Sequence, residues 1–348
     1  MSTQPFPPDL PLSDCLEAAR LRIQVSPEEL TEARTRRDAI GAALREEFPG
    51  SETYASGSVA HGDALTPLTD IDLGVVVVGV DAQYGPGKHG PAYLQERAAA
   101  AIKRRLGPAY DDLRVEFRGQ KRAILVRFRD PVTPGQPDFT ADVIIALDNP
   151  YGQGLFIPRY DSWDRSDPQG HTRLVHEANS ASQVAYARVV RLVKHWNRRH
   201  DRPLCSWNIK ALALGCITEP MPLLDGLRRW FQHAAEQVVA GDTPDPAGVS
   251  APIKLNKDRR EVVRLLRGAA EAVERAQAFE AAGYRCLAQD EMARLFNDEE
   301  MFPAPNPERV RADSADRQRR RQGSDSLAAA WGVEVARSRP AVRAWGIS

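Results

Sequence analysis

Two aspartates, Asp70 and Asp72, stand at the start of an apolar run and have the spacing of a metal site. The run at residues 73–80 predicts a buried strand, and side chains two apart in a strand project from the same face. Adjacent carboxylates repel each other unless a cation lies between them, and paired hard oxygen ligands suit Mg²⁺. Asp-x-Asp alone is more often a solvated turn or strand edge. The pair predicts magnesium-assisted nucleotidyl transfer only if its surroundings support it.

Two neighbouring features give that support. Gly57-Ser58 forms a small turn just before the aspartates, and such a turn lets backbone N–H groups and a hydroxyl approach a phosphate closely. Asp142 is the lone carboxylate inside the apolar strand predicted at residues 139–147, where an unpaired charge is costly and needs a cation nearby. Asp70, Asp72 and Asp142 together are the carboxylates that a two-metal site requires. We expect this site to bind two Mg²⁺ ions, and Mn²⁺ could replace Mg²⁺.

Positive charge for a triphosphate is expected from a basic amphipathic helix that begins near residue 180. Its apolar positions recur at helical spacing, and Lys194 with its basic neighbours fills the other positions. Lys194 is the best candidate to hold the phosphates. The alternative is that these charges only form a solvated helix face.

The elements that carry these residues divide the chain into two parts. Helices and strands alternate up to about residue 160, which predicts a mixed α/β (α+β) class. The second half is a series of helices, and from residue 304 the composition shifts to Pro, Arg, Ser, Ala and Gln. We therefore expect a mixed-sheet core followed by a helical lobe.

The motifs resemble those of a known superfamily. Gly57-Ser58 with Asp70-Ile71-Asp72 is similar to the signature of the polymerase β-like nucleotidyltransferases, and the strand that contains Asp142 is similar to their third-carboxylate strand. Later segments resemble more narrowly the bacterial CD-NTases, the cGAS/DncV-like enzymes that make cyclic oligonucleotide signals in anti-phage defence. These segments are Trp163 with Asp167-Pro168 and His171, the run 192–197 with Pro203 to Ser206, and Leu295-Phe296 ahead of Phe302-Pro303.

The resemblance implies a polymerase β-like nucleotidyltransferase core with a mixed sheet and a C-terminal helical lobe. The implied domains are an extended segment at 1–24, the catalytic core at 25–160, the helical lobe at 161–303 and a disordered tail at 304–348. It implies metal ligation by the three aspartates, with Asp142 nearest the attacking hydroxyl.

The implied substrates are nucleoside triphosphates. The resemblance implies phosphate contacts from Gly57, Ser58, Lys194 and Ser206, although Ser206 alone would be interpreted as a helix cap. Regulatory or effector proteins are implied as partners in CBASS-type signalling. One departure is visible, because many relatives have Arg-Gly-Thr shortly after Gly-Ser where this chain has His61-Gly62-Asp63.

Composition excludes several other classes. The 348 residues contain 47 Lys plus Arg and 47 Asp plus Glu, so no global basic field indicates duplex nucleic acid as an obligate partner. The four cysteines lack Cys-x-x-Cys spacing, which favours a reducing cytoplasm over a zinc site or a disulfide framework. No segment has the apolar length of a transmembrane helix, so we expect no membrane association.

Two alternatives to a cyclic oligonucleotide synthase remain open from the sequence. The same chemistry serves a transferase that adds a nucleotide to tRNA, a protein or a small molecule. A nucleotide-binding scaffold without activity would be favoured if a carboxylate were missing, but all three are present.

Overall fold

The computed structural model describes residues 4–133 and 135–330, which form a mixed sheet with flanking helices followed by a helical lobe. The seven strands are β1 (Glu52–Ser56), β2 (Asp70–Val77), β3 (Arg114–Glu116), β4 (Ile124–Arg127), β5 (Thr140–Leu147), β6 (Leu155–Arg159) and β7 (Ser162–Ser166). The helices of the first half are α1 (Leu12–Arg22), α2 (Pro27–Glu47), α3 (Gly57–Ala60), α4 (Asp81–Tyr84) and α5 (Ala92–Leu106). Those of the second half are α6 (Pro168–Ala181), α7 (Ala185–Arg199), α8 (Ser206–Leu214), α9 (Leu223–Ala240), α10 (Arg259–Ala281), α11 (Arg285–Phe296) and α12 (Pro307–Ala330).

The sheet places β2 and β5 side by side at its centre. Its order is β1-β2-β5-β4-β3, and β6 and β7 extend it from the far end of β5. β2 and β5 run parallel, whereas the other pairs are antiparallel. Both central strands are apolar over most of their length, as expected of strands covered on both faces. The predicted α/β class with a mixed sheet is confirmed.

The two largest hydrophobic clusters of the described residues lie in the two parts of the chain, and a small third one surrounds Val76 and Ala146 of the sheet. Of the two large clusters, one lies between the sheet and the helices α2 and α5. The other is formed by the helices of the second half around the buried rings of Trp196, Trp230 and Phe231. Trp196 and Leu192 are packed inside this core, so their side chains are not available for stacking on a base. None of the described helices combines the length and the apolarity that a bilayer span requires.

The segment at 1–24 is not extended as predicted, because it contains α1. One face of α1 carries Leu12, Cys15, Leu16 and Ala19, all fully buried in the helical core. These positions have the spacing of a helix face. The surrounding prolines concealed this pattern in the sequence.

The boundary predicted at residue 160 also moves. Residues 155–166 form the β6–β7 hairpin, which pairs through Pro158 and Trp163 and belongs to the sheet. Helix α6 then begins at Pro168 with Asp167 as its N-cap. The helix expected from residue 180 is α7 and begins later, at Ala185, because Gln183 and Val184 adopt positive φ angles that separate it from the end of α6.

The tail predicted to be disordered from residue 304 is helical over 307–330. The Tyr284 hydroxyl donates to Asp316 at 3.3 Å, and the Arg317 guanidinium lies 4.6 Å from the centre of the Phe279 ring. These contacts fix α12 on the helical lobe despite its polar composition. The prediction for residues 331–348 lies outside the described part of the chain.

We expect Leu16→Ala to destabilise the protein by about 2–5 kcal/mol, because it leaves a cavity in the core of the helical lobe. The control is Leu21→Ala in the same helix, where the side chain is 54% exposed. Denaturant unfolding followed by circular dichroism measures both. Equal stability of the two variants would contradict the placement of α1 in this core.

Candidate active site

The three predicted carboxylates meet where β2 and β5 begin. Asp72 pairs with Asp142 in the parallel register, and Asp70 lies two residues earlier on the same face of β2. Asp142 is exposed rather than buried, because β5 opens to solvent at this position. Among the described residues, neither Asp72 nor Asp142 has a hydrogen-bond or salt-bridge partner.

The electrostatics of these carboxylates show how closely they are crowded. Burial, together with the charges of Asp70 and Asp142, raises the pKa of Asp72 to about 7. Partial desolvation by the neighbouring strands and the charge of Asp70 also raise the pKa of Asp142, although its side chain reaches solvent. The group therefore holds excess negative charge that a cation would neutralise.

Gly57 makes room for this group. Strand β1 ends opposite Asp72, and Gly57 follows with a φ angle of +74°. A Cβ atom on Gly57 would lie 1.6 Å from Asp72 Oδ2, which no side chain allows. The next residue, Ser58, lies in the single turn of the short helix α3 beside the carboxylates. Only glycine both adopts the positive φ angle at position 57 without strain and leaves the space that the Asp72 carboxylate occupies.

A cleft of about 610 Å³ lies between the sheet and the helical lobe. From the predicted set it is lined by Gly57, Ser58, Asp70, Asp72, Lys194 and Ser206. Asp142 is adjacent on the neighbouring strand but is not part of this lining. The structure thus brings the predicted residues to one place.

Among the described residues, no group of three or more His, Cys, Asp or Glu side chains is arranged as a metal site, so the three aspartates do not form one as they stand. The donor set here is nevertheless of the kind that Mg²⁺ uses, since this ion is commonly held by one or two carboxylates and completed by waters and substrate phosphates. Unpartnered, mutually repelling oxygen ligands at the edge of an open cleft fit that arrangement.

Lys194 lies on the cleft side of α7 but is not a solvated helix residue. It is buried, and its Nζ donates to Asp63 Oδ1 at 2.7 Å and to the Asp63 main-chain oxygen at 2.9 Å. Ser206 is the first residue of α8, and it is Cys205 whose side chain caps this helix. The exposed Ser206 side chain therefore lies in the cleft lining without a capping role.

Several cleft residues were missed by the sequence-based reasoning. Lys210 on α8 is the clearest, because it is buried beside Asp63 and lines the cleft. A lone lysine in the apolar helix Ile-Lys-Ala-Leu-Ala-Leu was the available signal. The remaining polar members of the lining that were not predicted as site residues include His61, His171, Asn197, Arg198, Arg202 and Asn256.

Comparison with known proteins gives structural matches only. No protein family and no curated protein matches the sequence. Among solved structures, the chain is similar to the CD-NTase CdnG of Bradyrhizobium diazoefficiens in complex with GTP, with a TM-score of 0.60, 14% identity, and coverage of 88% of this chain and 99% of that one. It is also similar to CdnC of E. coli MS115-1 with ATP, with a TM-score of 0.59, 18% identity, and coverage of 83% and 98%.

A third similar structure is the CdnE cyclic dinucleotide synthase of Elizabethkingia meningoseptica with GTP and Apcpp. Its TM-score is 0.54 at 17% identity, and the match covers 74% of this chain and 97% of that one. At this level of identity the similarity establishes the fold. The chain has the fold of the CD-NTases, which confirms the predicted nucleotidyltransferase architecture.

The crowding of the carboxylates predicts that Asp72→Asn stabilises the metal-free protein. Because the pKa of Asp72 is raised in the folded state, stability is lost as the pH rises from about 4 to about 7, and the neutral amide avoids this loss. In a buffer with chelator at pH 8 we expect the melting temperature to rise by about 2–4 °C for each kcal/mol of repulsion that is removed.

The gain should be smaller at pH 5, where the native carboxyl is already protonated. Asp111→Asn, at an exposed turn position, is the control and should leave the melting temperature unchanged. A melting temperature lowered by Asp72→Asn at pH 8 would contradict the repulsion.

Proposed function

We propose that this chain, which has the fold of the CD-NTases, is a metal-dependent nucleotidyltransferase that joins nucleoside triphosphates into a cyclic oligonucleotide. The observation that carries the proposal is the placement of Asp70, Asp72 and Asp142 on paired strands across a cleft from two buried lysines. A triphosphate needs positive side chains at its phosphates and carboxylates for its metal ions, and this cleft offers both. The cyclic product is supported by the similarity in fold to CdnE of Elizabethkingia meningoseptica, which is a cyclic dinucleotide synthase.

The residues proposed to hold Mg²⁺ are Asp70, Asp72 and Asp142, and Mn²⁺ suits the same oxygen ligands. When bound, the ions would lower the pKa of the attacking hydroxyl and stabilise charge on the phosphates and the leaving pyrophosphate. Two observations support this: the side chains of Asp72 and Asp142 lack protein partners among the described residues, and Gly57 leaves space for the Asp72 carboxylate.

The other side chains act on the substrate directly. Ser58, at the start of α3, offers a hydroxyl and a backbone N–H to phosphate oxygens. Lys194 and Lys210 present ammonium groups from the helical lobe, and Ser206 offers a second hydroxyl. Asp142, exposed beside Asp72, accepts the proton of the attacking hydroxyl at its carboxylate.

We propose anti-phage signalling in the cytoplasm as the biological setting. This rests on the resemblance of the sequence motifs and on the shared fold. One similar structure is a complex of CdnC with a HORMA protein, and by analogy a regulatory protein is proposed as a partner of this chain.

Turnover of nucleotides should depend on Asp72 and on a divalent cation. We expect wild-type protein with all four nucleoside triphosphates and Mg²⁺ or Mn²⁺ to release pyrophosphate and to form a phosphatase-resistant product. Asp72→Asn should lower the rate by at least about 100-fold, since a metal ligand is lost, and Asp111→Asn should not.

Mass spectrometry of the product separates the candidate activities. A mass equal to the sum of the nucleoside monophosphates less one water for each linkage, including the closing one, identifies a ring. A linear product would favour nucleotide addition to another acceptor. Absence of pyrophosphate release under all metal and nucleotide conditions would argue for a binding protein without activity.

Gly57→Ala should strongly reduce turnover with little change in fold. The added Cβ would displace the Asp72 carboxylate, so we expect weaker Mn²⁺ binding by calorimetry and a loss of activity of about 100-fold. The matched control is Gly50→Ala, where φ is +82° but no atom lies within 4 Å of the added Cβ. Similar losses in both variants would show that backbone strain, rather than the displaced carboxylate, is responsible.

A further inference from the structure

A buried charge cluster lies beneath the cleft, at the position where the sequence departs from its apparent relatives. Its centre is Asp63, which is 0% exposed. Asp63 Oδ1 accepts from Lys194 Nζ at 2.7 Å, and Asp63 Oδ2 lies 3.1 Å from Lys210 Nζ. One carboxylate thus holds two ammonium groups, one at each oxygen.

The cluster connects the sheet and the helical lobe next to the turn that contains Gly57 and Ser58. The Asp63 N–H donates to the Ser58 main-chain oxygen at 3.0 Å, so the position of Asp63 is fixed by the turn that presents Ser58. Lys194 and Lys210 come from α7 and α8 of the helical lobe. Asp63 therefore sets where both lysines stand relative to Ser58.

Each lysine keeps at least one N–H without a protein acceptor among the described residues. An ammonium group has three donors. Lys194 uses two of them on the carboxylate and main-chain oxygens of Asp63. Lys210 uses one on His61 Nδ1 at 2.8 Å and forms an ion pair, without a hydrogen bond, with Asp63 Oδ2. Within the described part of the chain neither has a further partner, and both line the cleft.

His61 contributes as a neutral acceptor. Burial and the charge of Lys210 lower the pKa of His61 to about 3, so its Nδ1 accepts from Lys210. Its Nε2 then carries the proton and lies 3.1 Å from the Thr172 hydroxyl. The Lys210 ammonium is therefore contacted by both Asp63 and His61, and only Asp63 carries a negative charge.

The charges of the cluster sum to one excess positive charge. Burial acts to raise the pKa of Asp63, but the charges of Lys210 and Lys194 outweigh it and hold this pKa below its usual range. Without the carboxylate, two ammonium groups would face each other in a buried site with no counter-charge. Such a pair would separate or lose a proton.

We propose that Asp63 is a positioning residue that holds Lys194 and Lys210 together as a two-ammonium clamp for the triphosphate of the nucleotide. The proposal rests on the proposed function and specifies how the phosphates are held there. Asp63 itself does not touch the nucleotide and acts through the two lysines. The alternative is that Asp63 competes with the nucleotide. In that case its carboxylate would bind the two ammonium groups in place of the phosphates and would weaken nucleotide binding.

Asp63→Asn separates these roles because it removes the charge and keeps the shape. We expect the Kd for inorganic tripolyphosphate and for the α,β-methylene analogues of ATP and GTP, measured by calorimetry with Mg²⁺, to rise about tenfold or more. Weak binding of adenosine and guanosine, which lack phosphates, should not change. In turnover, KM should rise more than kcat falls. Unchanged or tighter binding of the triphosphates would overturn the proposal.

The control is Glu47→Gln, because Glu47 pairs with two arginines, Arg97 and Arg104, near the start of β1 and away from the carboxylate end of the sheet. It should leave triphosphate binding unchanged. A second variant, Lys210→Gln, keeps the pair of Asp63 with Lys194 and tests the clamp even if Asp63→Asn does not fold. Triphosphate binding equal to wild type in Lys210→Gln would also overturn the proposal.

The double variant Asp63→Asn with Lys210→Gln tests whether Asp63 acts through the lysines. Positioning predicts that the double variant loses less triphosphate binding than the sum of the two single losses, because without Lys210 the Asp63 carboxylate no longer separates two repelling ammonium groups. Additive losses would overturn the positioning role. If wild-type protein binds none of the triphosphates, the proposed function fails as well; if it binds them and Asp63→Asn binds equally, only the present inference fails.

Discussion

The parallel pairing of β2 with β5 is the constraint on which the arrangement of the cleft depends. Their register places Asp72 beside Asp142, and a slip of one residue would turn one of these carboxylates to the opposite face. Parallel neighbours need a long crossover connection, which here includes α5 and the strands β3 and β4. The apolar residues of both strands fix the register by burial, so the hydrophobic core also determines where three negative charges meet.

The two sides of the cleft carry opposite and individually unfavourable charges. The sheet contributes crowded carboxylates, and the helical lobe contributes buried lysines whose partner, Asp63, comes from the sheet side. Each group is costly alone because charge is concentrated where water is scarce. A magnesium-bound triphosphate would offset both costs at once. This is why we interpret the arrangement as functional rather than as a structural ion-pair network.

The site residues that were predicted from the sequence stand out against their immediate neighbours in the chain, whereas most of those that were missed do not. Asp70, Asp72 and Asp142 were visible because a carboxylate in or next to an apolar strand contradicts its surroundings within a few positions. Asp63 gave no such signal, since its partner Lys194 is 131 residues away along the chain. The core helices and strands were largely predictable from periodicity. Helices α1 and α12 were not predictable in this way. Prolines surround α1 and charged residues dominate α12, and both helices are stabilised by contacts with distant parts of the helical lobe.

The position of α1 has a consequence for how the molecule is assembled. Helix α1 packs with helices from the second half of the chain, so the helical lobe is built from two distant segments and the sheet domain is inserted between them. During synthesis the sheet domain is complete once β7 has emerged, whereas α1 must wait for α7, α9 and α11. In the folded protein the chain passes between the lobes at residues 23–26 and again at 166–168. Any change in the relative position of the two lobes must therefore be accommodated by the backbone at both crossings.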